Sequence, residues 1–234
     1  MSNISPGDII SYMDMCVEEG ASLQRGMNFR LKNQFSVLLM SLRKGAPYFD
    51  SVEDNGQTLI YEGHDVPRNV HKSPKTVDQP YNTPSGSLTE NGKFYEEAIK
   101  YKKTGIAELV KVYEKIKDGI WVFNGVFELI DAKIVKSDER NVFKFKLKVT
   151  DKTIDQRENR IIEAKDLDHN RLIPTSVKLE VWKRDKGRCV QCSSTDNLHF
   201  DHILPFSKGG TSLLAANIQL LCARHNLKKH DKIQ

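Results

Sequence analysis

No stretch of the 234 residues approaches the roughly 20 consecutive apolar positions needed to span a bilayer, so a membrane-spanning helix is not expected. The opening MSNISPGDIISYMD lacks the basic-then-apolar layout of a secretory leader, and the expectation is a cytoplasmic protein. Cysteine is scarce: Cys16, Cys189, Cys192 and Cys222 are the whole supply. Three of the four crowd into the last fifth of the chain, which argues against a disulfide framework and for metal chemistry. Neither sign of charge dominates, with 36 basic and 31 acidic residues and a net charge of +5; this permits a polyanionic partner without requiring one. Internal repeats are absent too. What remains is an ordinary globular composition, 38% hydrophobic and 29% charged, in a chain long enough for one large or two modest domains.

The apolar pattern divides the chain in two. Residues 8–19, DIISYMDMCVEE, predict a helix with Ile9, Ile10, Met13 and Val17 on one face and Cys16 as an inert core thiol. Strand-like runs follow at 35–42, 57–63, 120–135 and 141–149. In the last, apolar residues alternate with lysine at period two, the mark of a half-buried antiparallel strand. Asn124-Gly125 inside WVFNGVFEL predicts a tight turn or bulge. A polar stretch at 64–86 precedes the helical run LTENGKFYEEAIKYKKTG and reads as a binding loop. Residues 151–175 are polar and without period and predict a linker; helical patterning restarts at SVKLEVWKRDKGRC. The expected class is α+β, with a mainly β unit over 1–150 and a small metal-stapled unit over 176–234.

Within the small unit, Cys189-Val-Gln-Cys192 is a knuckle that brackets a tight turn. A structural zinc site wants four nitrogen or sulfur ligands. Cys222 and His225, at i and i+3 of a helix, share one face and complete the set. So small a unit has few apolar residues, and the ion would serve as its core. Between the halves of this site lies LHFDHILPFSKGGTSLLAANIQL. Leu198–Ile203 alternates as a strand, Pro205 and Gly209-Gly210 turn the loop, and Thr211 or Ser212 would cap a helix carrying Asn217 through Cys222 to Lys229. Asp201 and Asn226 are oxygen donors suited to a hard cation such as Mg2+, and His202 suits a general base near neutral pH.

The stretch from Arg184 to Lys229, RDKGRCVQC…LHFDHILPFSKGG…NIQLLCARHNLKK, resembles an HNH (ββα-metal) nuclease domain of the zinc-knuckle type. The resemblance implies that Asp201 is the first catalytic-metal ligand and His202 the base. Asn217 would hold the loop bearing that histidine, and Asn226 takes the third signature position, directly after the second zinc pair. Where the family usually has a fourth cysteine this chain has His225. Assigning His225 to the catalytic ion would leave zinc three-coordinate unless His230 or His199 replaced it, so His225 is assigned to zinc. The implied ions are structural Zn2+ and catalytic Mg2+, with Mn2+ or another divalent ion as an alternative. Lys208, Arg224, Lys228 and Lys229 are candidate phosphate contacts.

Farther upstream, FSVLLMSLRKGAPYFDSVEDNGQTLIYEGHD, VDQP, LVKVYEKIKDGIWVFNGVFELIDAKI and NVFKFKLKV resemble, over about residues 27–150, an SRA domain. That family has a PUA-like twisted β-barrel and binds DNA by flipping a modified cytosine into a pocket. A flipped base needs π-faces around it and polar groups on its Watson–Crick edge. Tyr61, His64, Asp65, Asp78, Gln79 and Tyr81 supply such groups. Asp65 is the candidate for the exocyclic amine and Tyr61 or Tyr81 for stacking. The loop bearing Arg68, His71, Lys72 and Lys75 would enter a groove or the vacated stack. Together the two resemblances imply a bacterial, type IV-like restriction endonuclease acting on double-stranded DNA with 5-methyl- or 5-hydroxymethylcytosine. One site cuts one strand, so a homodimer is expected for double-strand breaks. The rival readings are a modification-independent nuclease or nickase and a non-catalytic reader of modified DNA.

Overall fold

The computed structural model describes residues 4–31, 35–150, 152–155, 160–163, 172–205 and 208–230. The chain runs β1 (Ile9–Ile10), α1 (Tyr12–Glu19), β2 (Met27–Asn28), β3 (Ser36–Met40), β4 (Ser51–Glu53), β5 (Thr58–Glu62), α2 (Glu90–Thr104), β6 (Glu108–Lys117), β7 (Ile120–Ser137) and β8 (Arg140–Val149). It continues through β9 (Lys152–Asp155), β10 (Arg160–Glu163), α3 (Thr175–Arg184), β11 (Leu198–His202), β12 (Ile218–Cys222) and α4 (Ala223–His230). The class is α+β. The main sheet has the order β2-β3-β6-β7-β8-β5-β4, with β1 pairing β7 off that path. It is an open path with β2 and β4 at its edges; no pairing closes it among the described residues. Among the described residues only β3 and β6 pair in parallel.

Alternation along β8 works as its sequence predicts. Phe143, Phe145 and Leu147 turn into the main core beside Phe94, Phe127 and Leu129, while Lys144, Lys146 and Lys148 face outward. α2 is set by Thr89, whose hydroxyl accepts from Gly92 N, and by the left-handed Gly105 that ends it. Asn124 is the extra residue of a β-bulge: Val112 pairs with Gly125 and Tyr113 with Phe123.

Two local expectations are corrected. Residues 8–19 do not form one helix. Ile9 and Ile10 pair with β7, and Ser11 caps α1 by accepting from Asp14 N. Met13 and Val17 are 69% and 79% exposed. Met15 and Glu19 are buried instead, because the Glu19 carboxylate accepts from Lys111 Nζ at 3.0 Å and from Tyr113 Oη at 2.5 Å. A buried ion pair thus outranks an apolar stripe in orienting the helix. Nor does a helix run from Thr211 to Lys229: Asn217 lies on a 3-10 turn, β12 follows, and α4 starts only at Ala223. Pairing with β11 over five residues claims the segment IQLLC.

Of the stretch expected as linker, β9 and β10 form an antiparallel hairpin. Leu172 packs into the main core, with its N–H donated to Gly56 O. Among the described residues no helix is long and apolar enough to cross a membrane.

Candidate active site and zinc centre

The knuckle and the start of α4 bring Cys189, Cys192, Cys222 and His225 together, their ligand atoms all within 4.8 Å of one another. Cys189 Sγ and Cys222 Sγ lie 3.3 and 3.4 Å from His225 Nδ1, and Cys192 Sγ lies 3.8 Å from Cys222 Sγ. A tetrahedron with Zn–S and Zn–N lengths of about 2.3 and 2.0 Å has S···S and S···N edges of roughly 3.8 and 3.5 Å. The donor set therefore fits zinc in both chemistry and spacing. Burial pushes the Cys189 thiol up, but backbone N–H groups of Cys222, Gln191 and Cys192 and the His225 ring outweigh it. The thiol is brought down to about 6, which favours the thiolate that a metal needs.

β11 ends in Asp201 and His202, and the described loop residues after it are tied down by Asn217. The Asn217 side chain accepts from Leu204 N at 2.8 Å and donates to Leu204 O at 3.0 Å and Thr211 O at 3.1 Å; its own carbonyl accepts from Ile203 N. Asp201 Oδ2 accepts from Gln219 Nε2 at 3.0 Å and from Lys229 Nζ at 2.5 Å. Lys229 also donates to His202 O, so an ammonium sits where a carboxylate and a main-chain carbonyl converge. Such an arrangement of oxygens suits a cation. Asn226 lies one helical turn before Lys229, on the same face of α4; no hydrogen bond joins it to Asp201 among the described residues. His202 Nε2 lies 2.9 Å from Ser212 Oγ, and Ser212 is buried. The sequence marked Ser212 only as a helix cap; as the partner of the histidine it was not foreseen, because a ten-residue separation across a loop carries no periodic signal.

On the β unit, Tyr61, His64, Asp65 and Gln79 converge at the end of β5. Tyr61 Oη lies 3.1 Å from His64 Nε2, and burial holds the Tyr61 hydroxyl well above its usual range. Burial also lowers the His64 imidazole to about 4, so the ring is neutral at pH 7. Asp65 Oδ1 accepts from Arg140 at 2.5 Å and Gln79 at 3.1 Å, while Lys75 lies 3.0 Å from Oδ2. Burial pushes this carboxyl up, and Arg140, Gln79 and Lys75 together bring it below its usual value.

The other two residues point elsewhere. Asp78 binds the backbone and side-chain amides of Asn141 and pins the loop to β8. Tyr81 stacks on Phe143, meets Tyr95 edge-on and donates to Glu96. That hydrogen bond, with burial second, pushes its hydroxyl up to about 12.

Sequence reasoning missed the neighbours that complete the cluster. Tyr48 stacks on His64, ring centroids 5.1 Å apart and planes at 16°, and Lys75 Nζ lies 4.3 Å from the centroid of the Tyr48 ring. Asp50 is driven up to about 7 by burial, against opposing hydrogen bonds from Glu62 N and Ser41 N. Glu62 binds Arg140 and Lys144. The aromatic-acidic run PYFD was the available signal.

No curated protein matches the chain. Among solved structures it is similar to a SUVH5 SRA–hemimethylated CG DNA complex, at 23% identity over 64% of this chain and 91% of that one, TM-score 0.47. It is also similar to SUVH6 of Arabidopsis thaliana in complex with SAM, at 19% over 76% and 29%, TM-score 0.42. A third is the DNA modification-dependent restriction endonuclease AspBHI, at 13% over 70% and 80%, TM-score 0.45. Residues 189–232, which hold all four metal-type donors together with Asp201, His202, Asn217 and Asn226, match the HNH endonuclease family.

Proposed function

We propose that the chain is a modification-dependent DNA endonuclease whose β unit reads a modified cytosine and whose HNH unit hydrolyses a nearby phosphodiester. The observation that carries the nuclease half is the family match over 189–232, supported by a strand end whose Asp201 carboxylate and His202 carbonyl converge on the Lys229 ammonium. His202, whose Nε2 lies 2.9 Å from Ser212 Oγ, is the general base that takes a proton from the attacking water. Asn217 holds the backbone after that histidine in one conformation, so the base is positioned before substrate arrives. Asp201 and Asn226 would hold the divalent cation, which supplies charge neutralisation at the leaving 3′-oxygen. Lys208, Arg224 and Lys228 are exposed on the same unit and are suited to phosphate. Zinc on Cys189, Cys192, Cys222 and His225 would be structural.

The reader half rests on the SRA resemblance and on the cluster at the end of β5. Tyr48 and a neutral His64 supply aromatic surface and Asp65 an acceptor for a base edge, while Tyr61, buried in the main core, fixes His64 through its hydroxyl. Single-strand chemistry at each site makes a homodimer the arrangement for double-strand cutting.

The test is digestion of matched duplexes that differ only in cytosine modification, with and without Mg2+. Cutting confined to modified duplex with Mg2+ is expected. Equal cutting of all duplexes would favour a modification-blind nuclease, and binding without cutting a reader alone.

A further inference from the structure

We infer that the β unit and the HNH unit are welded into one body, and that this weld sets the distance between the base read and the bond cut; the inference rests on the function proposed above. Three independent sets of contacts make the weld.

The first is a strap. Gly7 N donates to Phe123 O at 2.8 Å and Phe123 N to Asp8 O at 2.9 Å, while Phe200 N donates to Gly7 O at 3.0 Å. Asp8 bridges His199 antiparallel, and Asp8 Oδ1 lies 2.7 Å from His199 Nδ1. The main sheet therefore continues through residues 7–10 into β11, whose next residues are Asp201 and His202. The second is a buried polar node. Lys178 of α3 reaches Glu114 of β6 at 2.5 Å and Asn124 of the β7 bulge at 2.7 Å. Asn124 donates to Glu114 at 3.0 Å, and Thr175 donates to the other oxygen of the same carboxylate. The third is an apolar seam in which Ile116 and Val122 pack with Val177, Val181, Phe200 and Ile218.

Each set resists sliding for its own reason. A ladder shifted by one residue turns every side chain to the wrong face. A node shifted by a few ångströms strands a carboxylate and an ammonium away from water. β7 also links the seam to the reading cluster within one strand: its bulge meets Lys178, and its far half pairs with β8, which begins at Arg140 beside Asp65.

The contrast is with a tether. A nuclease unit held only by the 21 residues from 151 to 171 would roam an r.m.s. distance of about 25 Å. At ~3.4 Å per base pair its cuts would scatter over roughly seven positions.

The experiment uses the full chain and a duplex carrying one modified cytosine, with cut positions mapped on both strands at single-nucleotide resolution. The wild type is expected to cut one dominant bond per strand, spread over no more than about one nucleotide. Gly7→Ala attacks the strap: Gly7 has φ +98°, and a Cβ there would meet Phe200 O at 2.8 Å. Lys178→Met attacks the node. Both are expected to widen the cut distribution to several nucleotides while leaving affinity for the modified duplex within about twofold, since neither residue lies at the reading cluster. Gly7→Ala leaves both cores intact and stands alone if Lys178→Met does not fold. A wild-type distribution as broad as the tether predicts would overturn the inference. So would variants whose β11 amides exchange faster but whose cut position stays sharp. Absence of modification-dependent cutting by the wild type would instead sink the functional reading and this one with it.

Discussion

Loss of zinc should unfasten α4 and leave the β unit folded. The perturbation is Cys222→Ser, or chelation of the wild type. α4 spans eight residues, too few for a stable helix in isolation, and it buries almost nothing apolar: Leu227 is 68% exposed. Its described polar ties to the rest are His225 in the cluster with Cys189, Cys192 and Cys222, Ala223 N on Asn197 O, and Lys229 on Asp201 and His202 O. Fixing eight residues costs roughly 8–16 kcal/mol at about 1–2 kcal/mol each. A structural zinc in a small site contributes about 10–16 kcal/mol, enough to order the segment where protein contacts alone are not. The assay combines zinc content, limited proteolysis, cleavage and binding. One zinc per wild-type chain is expected. The variant should lose zinc, expose the segment around Arg224–Lys229 to protease and lose cutting, while binding modified duplex within about twofold. A wild type without zinc, or a zinc-free variant that still protects α4 and cuts, would refute this reasoning. So would loss of DNA binding in step with zinc.

His202→Ala should lower cutting by about 10²–10⁴-fold with binding of modified duplex unchanged; single-turnover cleavage checks it. Lys178→Met should destabilise the chain by about 3–5 kcal/mol in urea unfolding, because a buried Glu114 loses its charge partner. Burial leans both partners toward their neutral forms. Three donors nevertheless hold the Glu114 carboxyl below its usual value, and that is the direction expected for the pair: its stabilisation is present above about pH 4.5 and lost as pH falls through the depressed folded value. Asp50 has the opposite sign. Its folded value near 7 lies above the usual 3.8, so stability falls as pH rises from about 4 to about 7, by at most ~4 kcal/mol. Asp50→Asn should abolish that slope in urea titrations at pH 4, 6 and 8, and an unchanged slope counts against it. Lys229→Met removes an ammonium 2.5 Å from Asp201 and should tighten Mn2+ binding measured by calorimetry; weaker binding would show that the lysine does not compete for that position.

The clustering of Cys189, Cys192, Cys222 and His225 was legible because donor spacing is local. Cys189–Cys192 and Cys222–His225 are each set by one turn of backbone, and Asp201-His202 is a dipeptide at a strand end. Period-two alternation likewise marked β8, and Asn124-Gly125 marked the bulge of β7. Elsewhere local pattern was outvoted. The stripe Met13–Val17 reads as a buried helix face, yet Lys111 and Tyr113, some ninety residues away, draw Glu19 inward instead. Five pairings with β11 turn IQLLC from helix to strand.

From its sequence by itself, then, the protein owes its Asp201-His202 pair, its clustered three cysteines and histidine and its strand-rich first part, since these depend on residue type and short spacing. Tertiary structure alone decided which aromatic ring lies on His64, that Ser212 meets His202, and that Glu114, Asn124 and Lys178 join two units that composition had set apart. Those outcomes turn on burial, where the cost of stranding a charge or amide depends on partners that no local pattern names.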